Sequence, residues 1–249
     1  MITEKLVNLN INTSEFEKVF TPNVTKVSEI LRKYGFDVRV VGGAVRDFLQ
    51  GKSPRDIDFA TDADPSELIY IFQLEGLQHD DRGIGHGTIK AVFGDDKIDV
   101  TSIAYKLELV DGKVRMITGQ DWEQDAQHRD LTINSMSIDQ EGTVYDYVGG
   151  LADLQAQIVR MNPITKTRLS DDPHLIMRWF KAVGQFKNPK FNKSDYQLIK
   201  ESIPLLTNIR GEEKTDREMA SILTSNNGQK VIRIMCNLGA EKYLGINCD

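Results

Sequence analysis

The sequence predicts an α+β domain, a mixed sheet with helices over residues 1–160, followed by an all-helical domain over 161–249. Up to about residue 160, short apolar segments punctuated by glycine alternate with helical stretches. From about Asp172 the period changes: Leu175, Ile176, Trp179, Val183 and Phe186 recur at three- and four-residue spacing. Charge divides in the same place. Residues 1–160 hold 17 Lys/Arg against 27 Asp/Glu, whereas residues 161–249 hold 14 against 10. An acidic half suits cations and a basic half suits phosphates, although either pattern also describes ordinary solvated surface.

The elements follow in order. Pro22 to Tyr34 reads as a helix capped by Thr21, with Pro22 at its first position and Gly35 as its stop. Phe36 to Val41 reads as a strand, broken by Gly42-Gly43, and Ala44 to Leu49 as a short helix. After a turn at Gly51 to Pro54, Asp56 to Ala60 reads as a second strand. Pro65 to Leu74 is a helix with Asp64 or Thr61 as its cap. Thr88–Phe93 and Lys97–Thr101 form a hairpin through Gly94-Asp95-Asp96. Helices are expected over 194–203, 212–225 and 228–238. Trp122, Trp179, Phe180 and Phe186 read as packing residues, and His79, His86 and Arg82 as residues of a mobile loop.

Bulk properties exclude several classes. With 40% hydrophobic and 27% charged residues among 249, the chain can bury a core and is not a disordered composition. No run of about eighteen apolar residues occurs, so no membrane partner is expected, and Met1-Ile2-Thr3-Glu4-Lys5 lacks a leader pattern. Cys236 and Cys248 are the only cysteines. Two thiols with no metal-ligand spacing point to a reducing cytosol, hence a cytoplasmic protein.

The chemistry centres on Asp56 and Asp58. In a strand, side chains two apart face the same way, so the two carboxylates project together and a divalent cation relieves their repulsion. Mg²⁺ suits such hard oxygens and bridges readily to substrate phosphates. Asp-x-Asp alone is a common surface pattern, but here it lies 13 residues after Gly43. Gly42-Gly43 follows an apolar strand and opens a helix, where backbone can approach a phosphate, and Arg46 one turn on can add a charged contact. Asp99, between Ile98 and Val100, fits a third carboxylate on a neighbouring strand, close enough to share a metal, or an exposed residue of an edge strand.

These residues closely resemble a known family. Val41-Gly42-Gly43-Ala44-Val45-Arg46-Asp47 with Gly51-Lys52-Ser53-Pro54-Arg55-Asp56-Ile57-Asp58-Phe59-Ala60-Thr61 is similar to the first motif of class II tRNA nucleotidyltransferases, the CCA-adding enzymes, whose close relatives are bacterial poly(A) polymerases. Gly85-His86-Gly87-Thr88-Ile89 resembles a further loop and strand, and Asp125 to Met136 the second motif. Tyr145 to Leu154 resembles the segment joining head to neck, and Asp171 to Arg178 the base-reading helix. The resemblance covers about residues 25 to 245.

It implies a polymerase-β-like nucleotidyltransferase head over 1–160 and a helical neck over 161–249. Asp56 and Asp58 would hold Mg²⁺, with Asp99 joining them in catalysis. Gly42, Gly43, Arg46, Arg129, Asp130, Asn134, Asp172, Arg178 and Lys181 would bind nucleotide. The activity implied is template-independent transfer from CTP and ATP to a tRNA or other RNA 3′ end, adding or repairing CCA. Poly(A) synthesis, addition of only C or only A, and transfer to a non-RNA acceptor are the alternatives, and a non-catalytic nucleotide binder is a third class. Departures bear on base choice. Leu175 stands where the base-reading arginine belongs, His128 replaces the first arginine of the second motif, and Ala104 stands where an arginine often follows the third carboxylate. Leucine cannot donate to a base edge, so Leu175→Arg is expected to sharpen the preference for C and A. Little follows the neck, which implies a shorter RNA or a homodimer.

Overall fold

A computed structural model describes residues 5–9, 13–54, 56–103, 105–110, 113–118 and 121–248. Arg55 and Ala104, both part of the sequence reading, lie outside the described residues, as does the stretch before Lys5. The chain divides into two packing units, one formed by residues 1–126 with 134–148, the other by 127–133 with 149–249. This division by packing falls at 148/149, twelve residues before the functional boundary read from the sequence at 160/161.

The first unit runs β1 (Lys5–Asn8), α1 (Ser14–Glu17), α2 (Pro22–Lys33), β2 (Val38–Val41), α3 (Gly43–Leu49), β3 (Asp58–Thr61), α4 (Pro65–Leu74), β4 (Gln78–Asp80), β5 (Thr88–Phe93) and β6 (Asp96–Ser102). There follow β7 (Tyr105–Val110), β8 (Lys113–Thr118), α5 (Trp122–His128), β9 (Ser137–Ile138) and β10 (Thr143–Asp146). Eight strands form one sheet in the order β1-β10-β9-β2-β3-β6-β5-β4, and β7 and β8 make a separate hairpin. Neighbours are antiparallel except β3 and β6, which are parallel.

Register gives the sheet two unlike faces. Val40, Phe59, Val100 and Ile89 stand level across β2, β3, β6 and β5, and all four are fully buried. The apolar sides of α2 (Val24, Val27, Leu31) and α4 (Leu68, Ile71, Phe72) are buried as well. One residue along, the row is Val41, Asp58, Asp99 and Lys90, and by the strand's two-residue period it faces the other way.

That second face is polar but not simply solvated. Arg39, level with Ala60, is buried. Its guanidinium donates to Asp37 Oδ2 at 2.6 and 3.0 Å and to the Tyr147 hydroxyl at 3.1 Å. Trp122 and Tyr145 cover its faces at 4.0 and 3.6 Å to the ring centroids. Trp122 also packs against Val41, Ala60 and Ile103, in keeping with its reading as a packing residue. Burial, then a 2.8 Å bond to Asp139, pushes the Tyr145 hydroxyl up to about 12, so it stays a donor at neutral pH.

The helix signals place α2 and α4 closely. Thr21 accepts from the Val24 N–H at 3.4 Å. Asp64 accepts from the N–H groups of Ser66 and Glu67 at 2.8 and 2.9 Å, while Glu67 accepts from the Asp64 N–H at 2.8 Å, a capping box. The Ser66 hydroxyl first, and then these N–H groups, hold the Asp64 carboxyl below its ordinary value. Because the folded-state pKa is depressed, the cap's contribution is complete above the unfolded value of about 4 and is lost as pH falls through the lower folded one. Asp64→Ala should therefore lower stability by about 1 kcal/mol near pH 7, with the gap to wild type narrowing toward pH ~3. Denaturant unfolding at both pH values reads this directly, and a pH-independent gap would contradict it.

In the second unit come α6 (Gly150–Ala156), β11 (Ile158–Val159), α7 (Pro163–Thr167), α8 (His174–Val183), β12 (Lys190–Phe191), α9 (Lys193–Ser202), α10 (Glu213–Leu223), α11 (Gly228–Asn237) and α12 (Glu241–Leu244). The domain read as all-helical also contributes β12, which pairs in parallel with β11. Helix α8 is central: Ile176, Met177, Trp179, Phe180 and Val183 are buried, as are Ile199, Leu206, Val231 and Met235 around it. Asp195 is fully buried, accepting from the Met161 N–H at 2.7 Å and pairing with Lys166 at 2.6 Å.

Two expectations are corrected. Cys236 and Cys248 are joined in a disulfide, Cα–Cα 6.0 Å, and are not free thiols. The chain folds back after α12 to bring them within bridging distance, which a separation of 12 residues does not reveal. The argument from free thiols to a reducing compartment therefore falls. His79, read as a loop residue, lies on β4 with its ring 6.2 Å from that of Phe72, and His86 ends a 3₁₀ turn at Ile84–His86. Arg82 is held by Asp80 through a forked contact. Among the described residues, no helix is long and apolar enough to cross a membrane.

Candidate functional site

The site in the first unit is built where β2 ends. Gly42 adopts φ 76°, ψ −136°, a conformation closed to residues with a Cβ, and its N–H donates to Met136 O at 3.3 Å. This turn lets α3 start at Gly43. The three atoms nearest to a Cβ placed at Gly43 all belong to the Arg46 guanidinium, the closest at 3.5 Å, so Arg46 overhangs the backbone there. Helix α3 has seven residues, and the charge at this end comes mainly from Arg46 rather than from a long dipole.

Arg46 is largely buried and already organised. Its Nη1 donates to Asn134 Oδ1 at 2.7 Å, and Nε and Nη2 donate to Asp47 Oδ1 at 2.9 and 2.8 Å. The structure thus brings Gly43 and Arg46 together with Asn134, which is 88 residues from Arg46 in sequence. Asp47 completes the set; it was quoted in the motif but not assigned a role.

The carboxylates gather beside this turn. Asp58 opens β3, exposed, level with Val41 on one side and Asp99 on the other. Asp56 is exposed in a bend two residues earlier, so the strand begins at Asp58 and not at Asp56 as read from the alternation. Asp99 is half-buried, and Lys90 Nζ donates to its Oδ1. Among the described residues, no group of three or more His, Cys, Asp or Glu is compact enough to hold a metal unaided. Two exposed carboxylates with substrate phosphates are nevertheless a sufficient set for Mg²⁺, which keeps several waters. Asp56 and Asp58 are both exposed, but Asp56 precedes the strand, so the two-residue strand period does not by itself set their carboxylates side by side.

The remaining candidates lie in the second unit. Segment 127–133 is pinned there: Asn162 Nδ2 and Thr165 Oγ1 donate to Arg129 O at 2.8 and 3.0 Å, and the Asn162 N–H donates to Asp130 O at 3.2 Å. Thr132 Oγ1 donates to Asp153 at 2.7 Å, and Arg160 forks onto the same carboxylate at 2.8 and 3.0 Å. Asp130 accepts from the Leu131 N–H at 2.8 Å and lies 3.9 Å from Arg178. Arg178 and Lys181 form the polar stripe of α8, with Lys181 3.4 Å from Glu218. Asp172 accepts from the His174 N–H at 3.2 Å and so serves the start of α8.

Leu175 is 3% exposed and belongs to the core of α8. Its neighbour His174 is also buried, with Nε2 2.9 Å from Glu212. Leu175 is therefore a packing residue, and an arginine in its place would have to enter a buried position before it could reach a base.

Lys90 is the residue that the sequence reading passed over. A signal existed: a two-residue turn at Gly94-Asp95, with Phe93 opposite Asp96, counts back to Lys90 opposite Asp99.

With this geometry in place, likeness to known proteins is specific. The family model described as the poly(A) polymerase head domain matches residues 38–160. The mitochondrial CCA tRNA nucleotidyltransferase 1 of Danio rerio is 34% identical over 98% of this chain and 57% of its own length. The CCA-adding enzyme of Bacillus licheniformis is 32% identical over 86% of this chain and 53% of its own. A crystal structure of the Bacillus stearothermophilus CCA-adding enzyme in complex with CTP superposes with a TM-score of 0.76 at 28% identity, covering 90% of this chain and 54% of that one. The fold of the first unit agrees with a poly(A)-polymerase-type head domain. Residues 38–160 belong to that head-domain family, and the chain over most of its length is similar to CCA-adding enzymes. It spans rather more than half the length of these curated relatives.

Proposed function

We propose that the protein is a template-independent RNA 3′-terminal nucleotidyltransferase that adds or repairs the CCA end of tRNA from CTP and ATP. The observation that carries this reading is the register of Asp58 with Asp99 on adjacent parallel strands, beside the Gly42-Gly43 turn and the Arg46–Asn134 bond. Asp56 and Asp58 hold Mg²⁺ and Asp99 supports them. Mg²⁺ bound there supplies charge neutralisation at the phosphates and activation of the RNA 3′ hydroxyl. Gly42 and Gly43 leave the backbone open to the triphosphate. Arg46, its orientation fixed by Asp47 and Asn134, neutralises phosphate charge.

In the same reading residues 1–160 are the catalytic head and 161–249 the neck. Arg129 and Asp130 engage sugar and phosphates, while Asp172, Arg178 and Lys181 address the base and RNA. The buried Leu175 leaves that position without a base contact, which favours, as a second reading, a partial or relaxed adder of C or A or a poly(A) polymerase. A cytoplasmic site of action and a homodimer belong to the proposal as well.

Terminal addition decides among these readings. Transcripts lacking CCA, ending in C, or ending in CC are offered CTP, ATP or both, with Mg²⁺ and then with chelator. Ordered addition that stops at CCA supports the first reading, and long A tails from ATP alone overturn it. Labelling of a non-RNA acceptor with none of RNA would overturn both. Cell fractionation and sedimentation test the compartment and the dimer.

A further inference from the structure

Lys90 holds a position that the proposed reaction does not explain. On β5 it stands opposite Asp99, and Asp99 stands opposite Asp58, so an ammonium ends a row of two carboxylates, with Asp56 two residues before Asp58. Its Nζ donates to Asp99 Oδ1. On its other side β4 places Asp80 level with Lys90, but Asp80 is engaged by Arg82 at 2.9 Å, which leaves Asp99 as the acceptor for the lysine. Both side chains of the pair are about one-third exposed, at 36% and 35%.

We propose that Lys90 is the built-in counterion of the third carboxylate and competes with the divalent cation for it. This rests on the reading of Asp56, Asp58 and Asp99 as the metal-side carboxylates. Asp58 and Asp99 stand level on adjacent strands, with Asp56 two residues before Asp58, and a cation relieves their repulsion whether it is an ammonium or a metal ion. Both cations address the same oxygens, so the binding of either weakens the other. Lysine is suited to yield, because its charge rides on a flexible stem and the pair is open to water. Lys90 thereby lets the sheet fold with Asp99 neutralised and sets the metal concentration at which the site fills.

Mn²⁺ binding to the whole chain with CTP present and no RNA acceptor, followed by electron paramagnetic resonance, tests this. Lys90→Met should bind Mn²⁺ roughly tenfold more tightly than wild type, as removal of one nearby positive charge implies. Lys90→Arg should match wild type, and the Mg²⁺ concentration for half-maximal transfer should fall with Lys90→Met. Thermal melts confirm that each variant is folded. Equal or weaker Mn²⁺ binding by folded Lys90→Met overturns the proposal. Asp56→Ala in the same measurement separates the two ideas. If it abolishes binding while Lys90→Met changes nothing, only the competition falls. If binding survives Asp56→Ala and Asp58→Ala, the metal reading itself falls, and this proposal with it.

Discussion

Asp56→Ala and Asp58→Ala are each expected to reduce nucleotidyl transfer by roughly a thousandfold or more, the scale set by loss of metal-borne charge stabilisation. Neither should disturb folding. Asp56 lies exposed in a bend and Asp58 is exposed at the first position of β3, whereas the residues that seat the strand, Phe59, Ala60 and Thr61, are buried. Single-turnover rates with a tRNA transcript, set beside thermal melts, separate the two effects. Unchanged turnover in either variant refutes the site assignment, and a large drop in melting temperature would show that the carboxylate is structural. Asp99→Ala should act on the same step but more mildly, because that carboxylate is also paired with Lys90.

The second large effect is on stability. Leu175→Arg is expected to destabilise the protein by about 3–5 kcal/mol, since it places an unpaired charge in a packed apolar site. Leu175→Met, which conserves volume, should lower stability by less than about 1.5 kcal/mol. Denaturant unfolding of both variants measures the contrast. An arginine variant as stable as the methionine one would mean that the side chain escapes from the core of α8 and that the position is open to a ligand after all.

Much of the fold was legible where local chemistry decides it. Thr21 with Pro22 marks the start of α2, and Asp64, one of the two caps offered for α4, accepts from the N–H groups at its start. The β5–β6 hairpin followed from Gly94, whose φ of 64° suits a tight turn. What was not legible depends on distant partners. Arg39 alternates like a solvent-facing residue, yet Trp122 and Tyr145 enclose it. Lys90 alternates in the same way, and only the strand order shows that its face carries the carboxylates. Cys236 and Cys248 carry no spacing that distinguishes two thiols from one bridge. At Leu175 the departure from the family pattern is visible in the residue itself, but its burial in α8 depends on packing that the sequence does not show.

The parallel pairing of β3 with β6 also governs when the site comes into being. Between these strands the chain runs through α4, β4 and β5, so Asp58 and Asp99 meet only after that whole excursion has been laid down and closed. Asp56 and Asp58 are neighbours in the chain, whereas Asp99 is brought level with Asp58 only by a pairing of high sequence separation, the kind of contact whose closure carries the largest chain-entropy cost. On the proposed reading, a divalent ion bound there would favour chains in which β3 and β6 have paired over chains in which they have not.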